Sequence, residues 1–294
     1  MKHIKLLYLF LLISWSSLPL QAADYLLQSP NGKLTVEIET KGQLSYTLKH
    51  NSQTLLDKSP IGLLLEDKIL GEDIKISRIK RNSSVKEHIV SPHYRLPSFE
   101  VTYNELNLKF KGNYGIIFRA YNEGIAYRFY TTMKGPLIIK DEMVQMNFPK
   151  DYPTFMSYST MPTGEDQYAM AFQNLYTKSS IKGVDTNNIA FLPITIDCGN
   201  ELKMTLLESD LEDYPGMFIK GDGKNTSLQG TFAHYPSEIK NFPPRAMKRI
   251  TKRTDYIART TGERNYPWRI WAITEKDTEM PVNNLVYALA SPNR

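Results

Sequence analysis

The sequence predicts a mainly all-β chain, a large antiparallel β-sandwich with one or two short helices. Apolar residues alternate with polar ones at period two along most of its length. Gly, Pro and Asn punctuate these runs at the spacing of antiparallel sandwiches, and helical periodicity is scarce.

The elements follow in order. In "GKLTVEIET" Leu34, Val36 and Ile38 share one face, and after Lys41-Gly42 the pattern resumes as Leu44, Tyr46 and Leu48, a half-buried hairpin. In "YGIIFRAYNEGIAYRFYTT" Ile117, Arg119 and Tyr121 alternate with their neighbours up to Asn122-Glu123-Gly124, and Ile125, Tyr127 and Phe129 return. Gly124 supplies the positive φ such a turn needs. The alternation recurs in "LKMTLLE", "TDYIART" and "PWRIWAIT". Helical spacing occurs in "DQYAMAFQNLY", where Tyr168, Ala171, Phe172 and Leu175 predict two or three amphipathic turns. It occurs again in "PVNNLVYALASPNR", with Asn283 as N-cap and Leu285 and Leu289 as one apolar stripe.

The chain opens with Lys2, His3 and Lys5, an apolar run from Leu6 to Trp15, and small residues at Ala22 and Ala23. This is the pattern of a secretory signal peptide cleaved near Ala22. The run falls short of the about 20 residues a membrane span needs, and no later segment reaches it, so no membrane span is expected. The single cysteine, Cys198, allows no internal disulfide and reads as a small buried hydrophobe. Export without a cystine framework points to a periplasmic location. The expected organisation is a signal peptide at 1–22, a sandwich at 23–282 and a short C-terminal segment at 283–294.

Without the leader's two lysines, 34 basic residues stand against 31 acidic ones, and the formal net charge falls from +5 to +3. That balance, with no clustered basic stripe, argues against a nucleic-acid partner. The densest basic stretch, "RAMKRITKRTD", reads as the solvated face of a strand.

Nucleophile elbows, H-E-x-x-H, Walker A loops and dinucleotide-binding glycine patterns are absent. His50, His88, His93 and His234 show no metal-ligand spacing. The acid-rich "LLESDLEDYPGMF" carries Glu208, Asp210, Glu212 and Asp213 before a Tyr-Pro-Gly turn. Glycoside hydrolysis needs two carboxyl groups about 5 to 9 Å apart. Glu208 and Asp210, two apart on a strand, share a face that suits catalysis, a salt bridge or a loop hydrogen bond alike. In "ERNYPWRIW", Tyr266, Trp268 and Trp271 are candidates for a sugar-stacking platform, with Arg264 or Arg269 holding hydroxyls. Trp268 and Trp271, three apart, face opposite sides of a strand, so a platform using both needs a bend.

Four stretches taken together, "LLQSPNGKLTVEI", "YNEGIAYRFY", "LLESDLEDYPGMF" and "RTDYIARTTGERNYPWRIWAI", strongly resemble the N-terminal domain of glycoside hydrolase family 97. That family includes SusB-type α-glucosidases of gut Bacteroidetes and related α-galactosidases. The resemblance spans essentially the whole mature chain. It implies a β-sandwich packed on a following (β/α)8 barrel, which carries the catalytic carboxylates and most ligands of a calcium ion. On this reading the sequence ends where the barrel begins, none of the four acids is catalytic, and the chain alone lacks glycosidase activity.

The family's sandwich contributes one glutamate to the barrel's calcium. The matching stretch here is "FQNLYT", which puts Gln173 at that position; a glutamine brings an amide oxygen but no charge, and Glu165 or Asp166 is the alternative. Calcium is therefore expected only with a barrel partner. Two rival readings stay open. One is a stand-alone carbohydrate-binding module using Trp268 or Trp271 with Arg269, Glu208 and Asp210 nearby, which predicts affinity for α-linked oligosaccharide where a docking domain shows little. The other is a self-sufficient glycosidase built on Glu208 and Asp210. An apolar face around the C-terminal segment, left exposed, is what a missing barrel predicts.

Overall fold

A computed structural model describes residues 24–91, 94–159, 166–169, 172–243 and 247–292. The leader, His93 and Glu165 lie outside these residues. Nineteen strands are present among the described residues: β1 (Tyr25–Gln28), β2 (Leu34–Glu39), β3 (Ser45–His50), β4 (Gln53–Leu65), β5 (Ile69–Leu70), β6 (Ile76–Val90) and β7 (Ser98–Phe110) come first. Then follow β8 (Tyr114–Tyr121), β9 (Gly124–Asn147), β10 (Pro153–Tyr158), β11 (Thr177–Ser180), β12 (Ala190–Gly199) and β13 (Leu202–Ser209). The series ends with β14 (Met217–Gly221), β15 (Ser227–Phe232), β16 (Pro236–Phe242), β17 (Met247–Arg253), β18 (Ala258–Asn265) and β19 (Trp268–Thr274), followed by a short helix α1 (Leu285–Leu289). The predicted all-β class holds.

All pairings are antiparallel. The first four strands form a meander whose registers, Val36↔Leu48 and Ile38↔Tyr46, put the predicted apolar positions on one face. A second layer runs β6–β7–β8, the first half of β9, then β19, β13 and β12. The 24-residue β9 continues into the first layer, where Ile61 pairs with Val144 of its second half. Pairings of β12 with β14, β14 with β15 and β15 with β9 complete a closed ring of six strands with β19 and β13. Closure leaves the ring itself without a free edge, while β1 and β6 each keep one unpaired side among the described residues.

The main core lies between the layers. Tyr46 of the first layer meets Phe118 and Tyr127 of the second, at ring-centroid separations of 6.0 and 5.5 Å. A second apolar cluster covers the outer face of the second layer, where Leu285, Ala288 and Leu289 of α1 lie over Tyr103, Tyr121, Ala126, Trp268 and Ile270. Leu285 and Leu289 thus form the predicted stripe. Asn283 stands two residues before the helix and accepts the Leu285 N–H on its side chain at 3.1 Å.

Two expectations are corrected. The "PWRIWAIT" strand does not alternate between core and solvent: every residue of β19 is buried, because α1 covers its outer face. The segment 166–176 is no amphipathic helix among its described residues. A single 3-10 turn occupies Gln167–Ala169, and 172–176 has no regular structure. A short helix is marginal without packing on one face. Here Phe172 packs on Phe191 and Phe218, Ser157 donates to the Asn174 carbonyl at 2.8 Å, and Leu175 is left 91% exposed, so an extended course wins.

Gly124 begins β9 directly after the two-residue Asn122–Glu123 loop. A Cβ there would sit 2.3 Å from the Trp271 carbonyl oxygen and 2.6 Å from Leu285, so close approach of β19 and α1, beside its φ of +155°, requires glycine. Of the basic stretch, Arg245 and Ala246 lie outside the described residues and Met247–Arg253 form β17, which among the described residues pairs only with β16 as a separate two-stranded sheet and is largely exposed, in line with the solvated-strand reading.

Candidate functional site

Glu208 and Asp210 of the acid-rich stretch lie on opposite sides of one sheet. Glu208 of β13 stands directly opposite Arg269 of β19 in the ladder. Arg269, 1% exposed, donates Nε and Nη2 to the two carboxylate oxygens of Glu142 at 2.9 and 2.7 Å, and Nη1 to Glu208 at 2.6 Å. The Met217 amide donates to Glu208 at 3.0 Å. Two carboxylates thus share one guanidinium inside the fold, the bidentate fork pairing with Glu142.

Burial alone would push Arg269 down, but the charge and hydrogen bonds of Glu142, then Glu208, hold it above its ordinary value. For Glu208 burial wins instead: its carboxyl is pushed up, and Arg269 and the Met217 amide only partly offset this. Both shifts are upward, yet the one favours the charged form of Arg269 and the other the neutral form of Glu208; Glu142 takes two of the three bonds, which makes it the principal counter-ion.

Asp210 does not share Glu208's face. Its φ of +64° breaks the strand alternation just past the end of β13, and its carboxylate accepts Arg128 Nη1 at 2.8 Å on the side covered by α1. The Ser291 amide reaches its other oxygen at 3.3 Å. Glu212 offers its carbonyl to Arg264 at 2.8 Å, and Asp213, with φ +52°, lines a surface cleft. Glu208 and Asp210 are each tied to an arginine, so neither stands ready as a free acid or base in this structure.

The tryptophans do face opposite sides, but both are buried. Trp271 lies in the core, where its Nε1–H donates to the Tyr46 hydroxyl at 3.0 Å. Trp268, 2% exposed, lies under α1 with the guanidinium groups of Arg128 and Arg119 at 4.6 and 5.2 Å from its ring. The proposed sugar platform of Trp268 with Arg269 is therefore closed: the ring is covered and the guanidinium is spent on Glu142 and Glu208. Sequence inspection missed Glu142 and Arg128, and put Tyr46 on the buried hairpin face without its bond to Trp271. The only signal was Arg269 itself, a charge within an otherwise apolar run that demanded a counter-ion.

Cys198 is buried, and burial pushes its thiol up to about 12. His50 pairs with Glu275, His88 with Glu100, and His234 with the Thr254 carbonyl. Calcium takes six to eight oxygen ligands as a rule. Gln173 is exposed and brings one amide oxygen, Asp166 is committed to Arg253 at 2.6 Å, and no group of three or more His, Cys, Asp or Glu poised for a metal occurs among the described residues. These residues do not by themselves assemble a calcium site.

One large apolar feature adjoins α1. A cleft of about 620 Å³ runs across the outer face of β12, β13 and β19, walled by Tyr176, Leu207, Met280, Val286 and Tyr287. Tyr176 and Tyr287 of its wall are exposed, and so are Leu175 and Val282, which are next in the chain to lining residues. Among the described residues its only charged lining groups are Lys203 and Asp277, which pair at 3.3 Å.

A family model described as "Glycosyl-hydrolase 97 N-terminal" matches residues 27–292. The retaining alpha-galactosidase of Bacteroides thetaiotaomicron is 35% identical over 298 residues, which cover 99% of this chain and 45% of that protein. The chain thus spans under half the length of that relative. Among solved structures, a glycoside hydrolase family 97 enzyme from Pseudoalteromonas sp. strain K8, in complex with acarbose, superposes with a TM-score of 0.73 at 17% identity, over 92% of this chain and 38% of that one. A beta-arabinopyranosidase superposes with a TM-score of 0.69 at 16% identity, over 86% of this chain and 40% of that one.

Proposed function

This chain belongs to the glycosyl-hydrolase 97 N-terminal family, and on that premise we propose that it is the accessory sandwich of an α-glycosidase, made to pack against a (β/α)8 catalytic barrel and to complete the rim of its pocket. The observation that carries this reading is the apolar cleft beside α1. A large apolar depression walled by the exposed Tyr176 and Tyr287, with exposed Leu175 and Val282 adjacent in the chain to its lining, is a protein-contact surface by composition. The engagement of Glu208 and Asp210 with arginines supports a structural role for the family's acid-rich signature. The leader's composition supports export to a periplasm. Calcium enters only as an ion that the barrel would hold, with Gln173 offering at most one neutral oxygen.

The test is capture. The purified chain, mixed with the Bacteroides thetaiotaomicron α-galactosidase cut back to the part this chain does not match, is expected to co-elute with it on gel filtration. Leu175→Asp combined with Tyr176→Ser should abolish co-elution while leaving the circular dichroism of the sandwich unchanged, since both side chains are exposed. Absence of co-elution by the unmodified chain, or indifference to the paired substitution, contradicts the docking face.

A further inference from the structure

We infer that a second cleft, at the base of the β16–β17 hairpin, is a binding site for a neutral oligosaccharide. This goes beyond the docking role and stands on different residues. The cleft, of about 460 Å³, opens between the Asp213–Pro215 loop, the start of β18 and the hairpin base. A polar pocket of about 310 Å³ adjoins it, and the two share His234 and Arg253.

Sugar recognition needs an aromatic face for the C–H surface of the ring and a few oriented polar groups for its hydroxyls. Tyr235 provides the face. Its N–H donates to the Tyr256 carbonyl and its own carbonyl accepts the Thr254 N–H, both at 2.8 Å, so its backbone is pinned on both sides. Its ring stacks on Tyr256 at 5.8 Å with an interplanar angle of 21°, yet the residue remains 50% exposed. An exposed tyrosine held this rigidly offers contact area at little entropic cost.

The polar groups are equally fixed. His234 Nδ1 lies 3.0 Å from the Thr254 carbonyl, an acceptor that keeps the proton on Nδ1 and leaves Nε2 to accept from a hydroxyl. Arg253 is anchored by Asp166, through Nε at 2.8 Å and Nη2 at 2.6 Å. Asp141 lines the same pocket with one oxygen tied to the Glu142 amide at 2.9 Å. The larger cleft alone carries Arg253, Arg259 and Arg264 against Asp213; taken with the adjoining pocket, whose Asp141 and Asp166 join the lining, the charges balance. A balanced wall favours a neutral, hydroxyl-rich ligand over an anion. Among the described residues the hairpin joins no other sheet, so lining this cleft gives its base a role that sheet pairing does not.

The test is saturation-transfer NMR and titration calorimetry on the purified protein, with maltotriose and raffinose as probes. A transfer signal from at least one sugar is expected at millimolar concentration. Tyr235→Ala should weaken that binding at least about tenfold, His234→Ala should weaken it less, and Leu175→Asp should leave it unchanged. No signal from either sugar, or binding undiminished in Tyr235→Ala, overturns the inference. Loss of co-elution with the galactosidase fragment is read at Leu175 and loss of sugar binding at Tyr235, so either idea can fail alone.

Discussion

Replacing Arg269 by alanine is expected to destabilise the fold by about 3–5 kcal/mol, because it leaves Glu142 and Glu208 buried without their shared counter-ion. Urea unfolding of the purified variant reads this directly. Arg269→Lys should recover only part of the loss, since an ammonium cannot reproduce the two-pronged bond to Glu142. The triple variant Glu142→Gln, Arg269→Met, Glu208→Gln should lie closer to the unmodified protein than Arg269→Ala does, because the uncompensated charges are gone.

The pH dependence has a definite sign. Burial already raises the Glu208 carboxyl, and Arg269 is the chief influence holding it down. Without Arg269 the folded-state pKa rises further above the unfolded value. A carboxyl raised in this way favours folding below its unfolded pKa and loses that contribution as pH rises through the folded one. The deficit of Arg269→Ala relative to the unmodified protein should therefore be larger at neutral pH than in mild acid. A deficit below about 1 kcal/mol at neutral pH, the scale of an exposed ion pair, would contradict the buried-triad account.

The second large effect belongs to Trp271. Truncation to alanine is expected to cost about 3–5 kcal/mol from lost packing and the cavity left behind. It also strands the buried Tyr46 hydroxyl, an unsatisfied group worth about 1–3 kcal/mol. Trp271 meets Phe148 edge-on at 6.2 Å and joins the two layers through Tyr46, so the damage falls where the sandwich is held together. A double-mutant cycle of Trp271→Phe and Tyr46→Phe isolates the hydrogen bond from the packing. A cycle with no coupling would show that the bond adds nothing. A Trp268→Ala variant offers the contrast: Trp268 lies outside the main core, and its loss should chiefly loosen α1.

Strand positions were legible because one buried face imposes period two, and the buried face of the β2–β3 hairpin follows from Leu34, Val36, Ile38, Tyr46 and Leu48. The burial of Trp268 was not, since it depends on α1 folding back over β19 from a later part of the chain. Nor was the partner of Arg269: Glu142 lies 127 residues away in sequence, and only the ring closure of β9 with β19 brings them together. The shared face expected for Glu208 and Asp210 failed at a single backbone angle, the positive φ of Asp210. The expected helix around Phe172 failed because helical spacing is necessary for an amphipathic helix and is not sufficient when the apolar residues find partners in an extended course.

The central proposal is that this sandwich supports glycoside hydrolysis without performing it. The measurement that tests it most directly is the rate at which the purified chain hydrolyses aryl α-glucoside and aryl α-galactoside, with and without added calcium. The account predicts a rate equal to the buffer blank in every condition, with no change in Glu208→Gln or Asp210→Asn. Turnover that survives purification and falls in either variant would make those acids catalytic and contradict it.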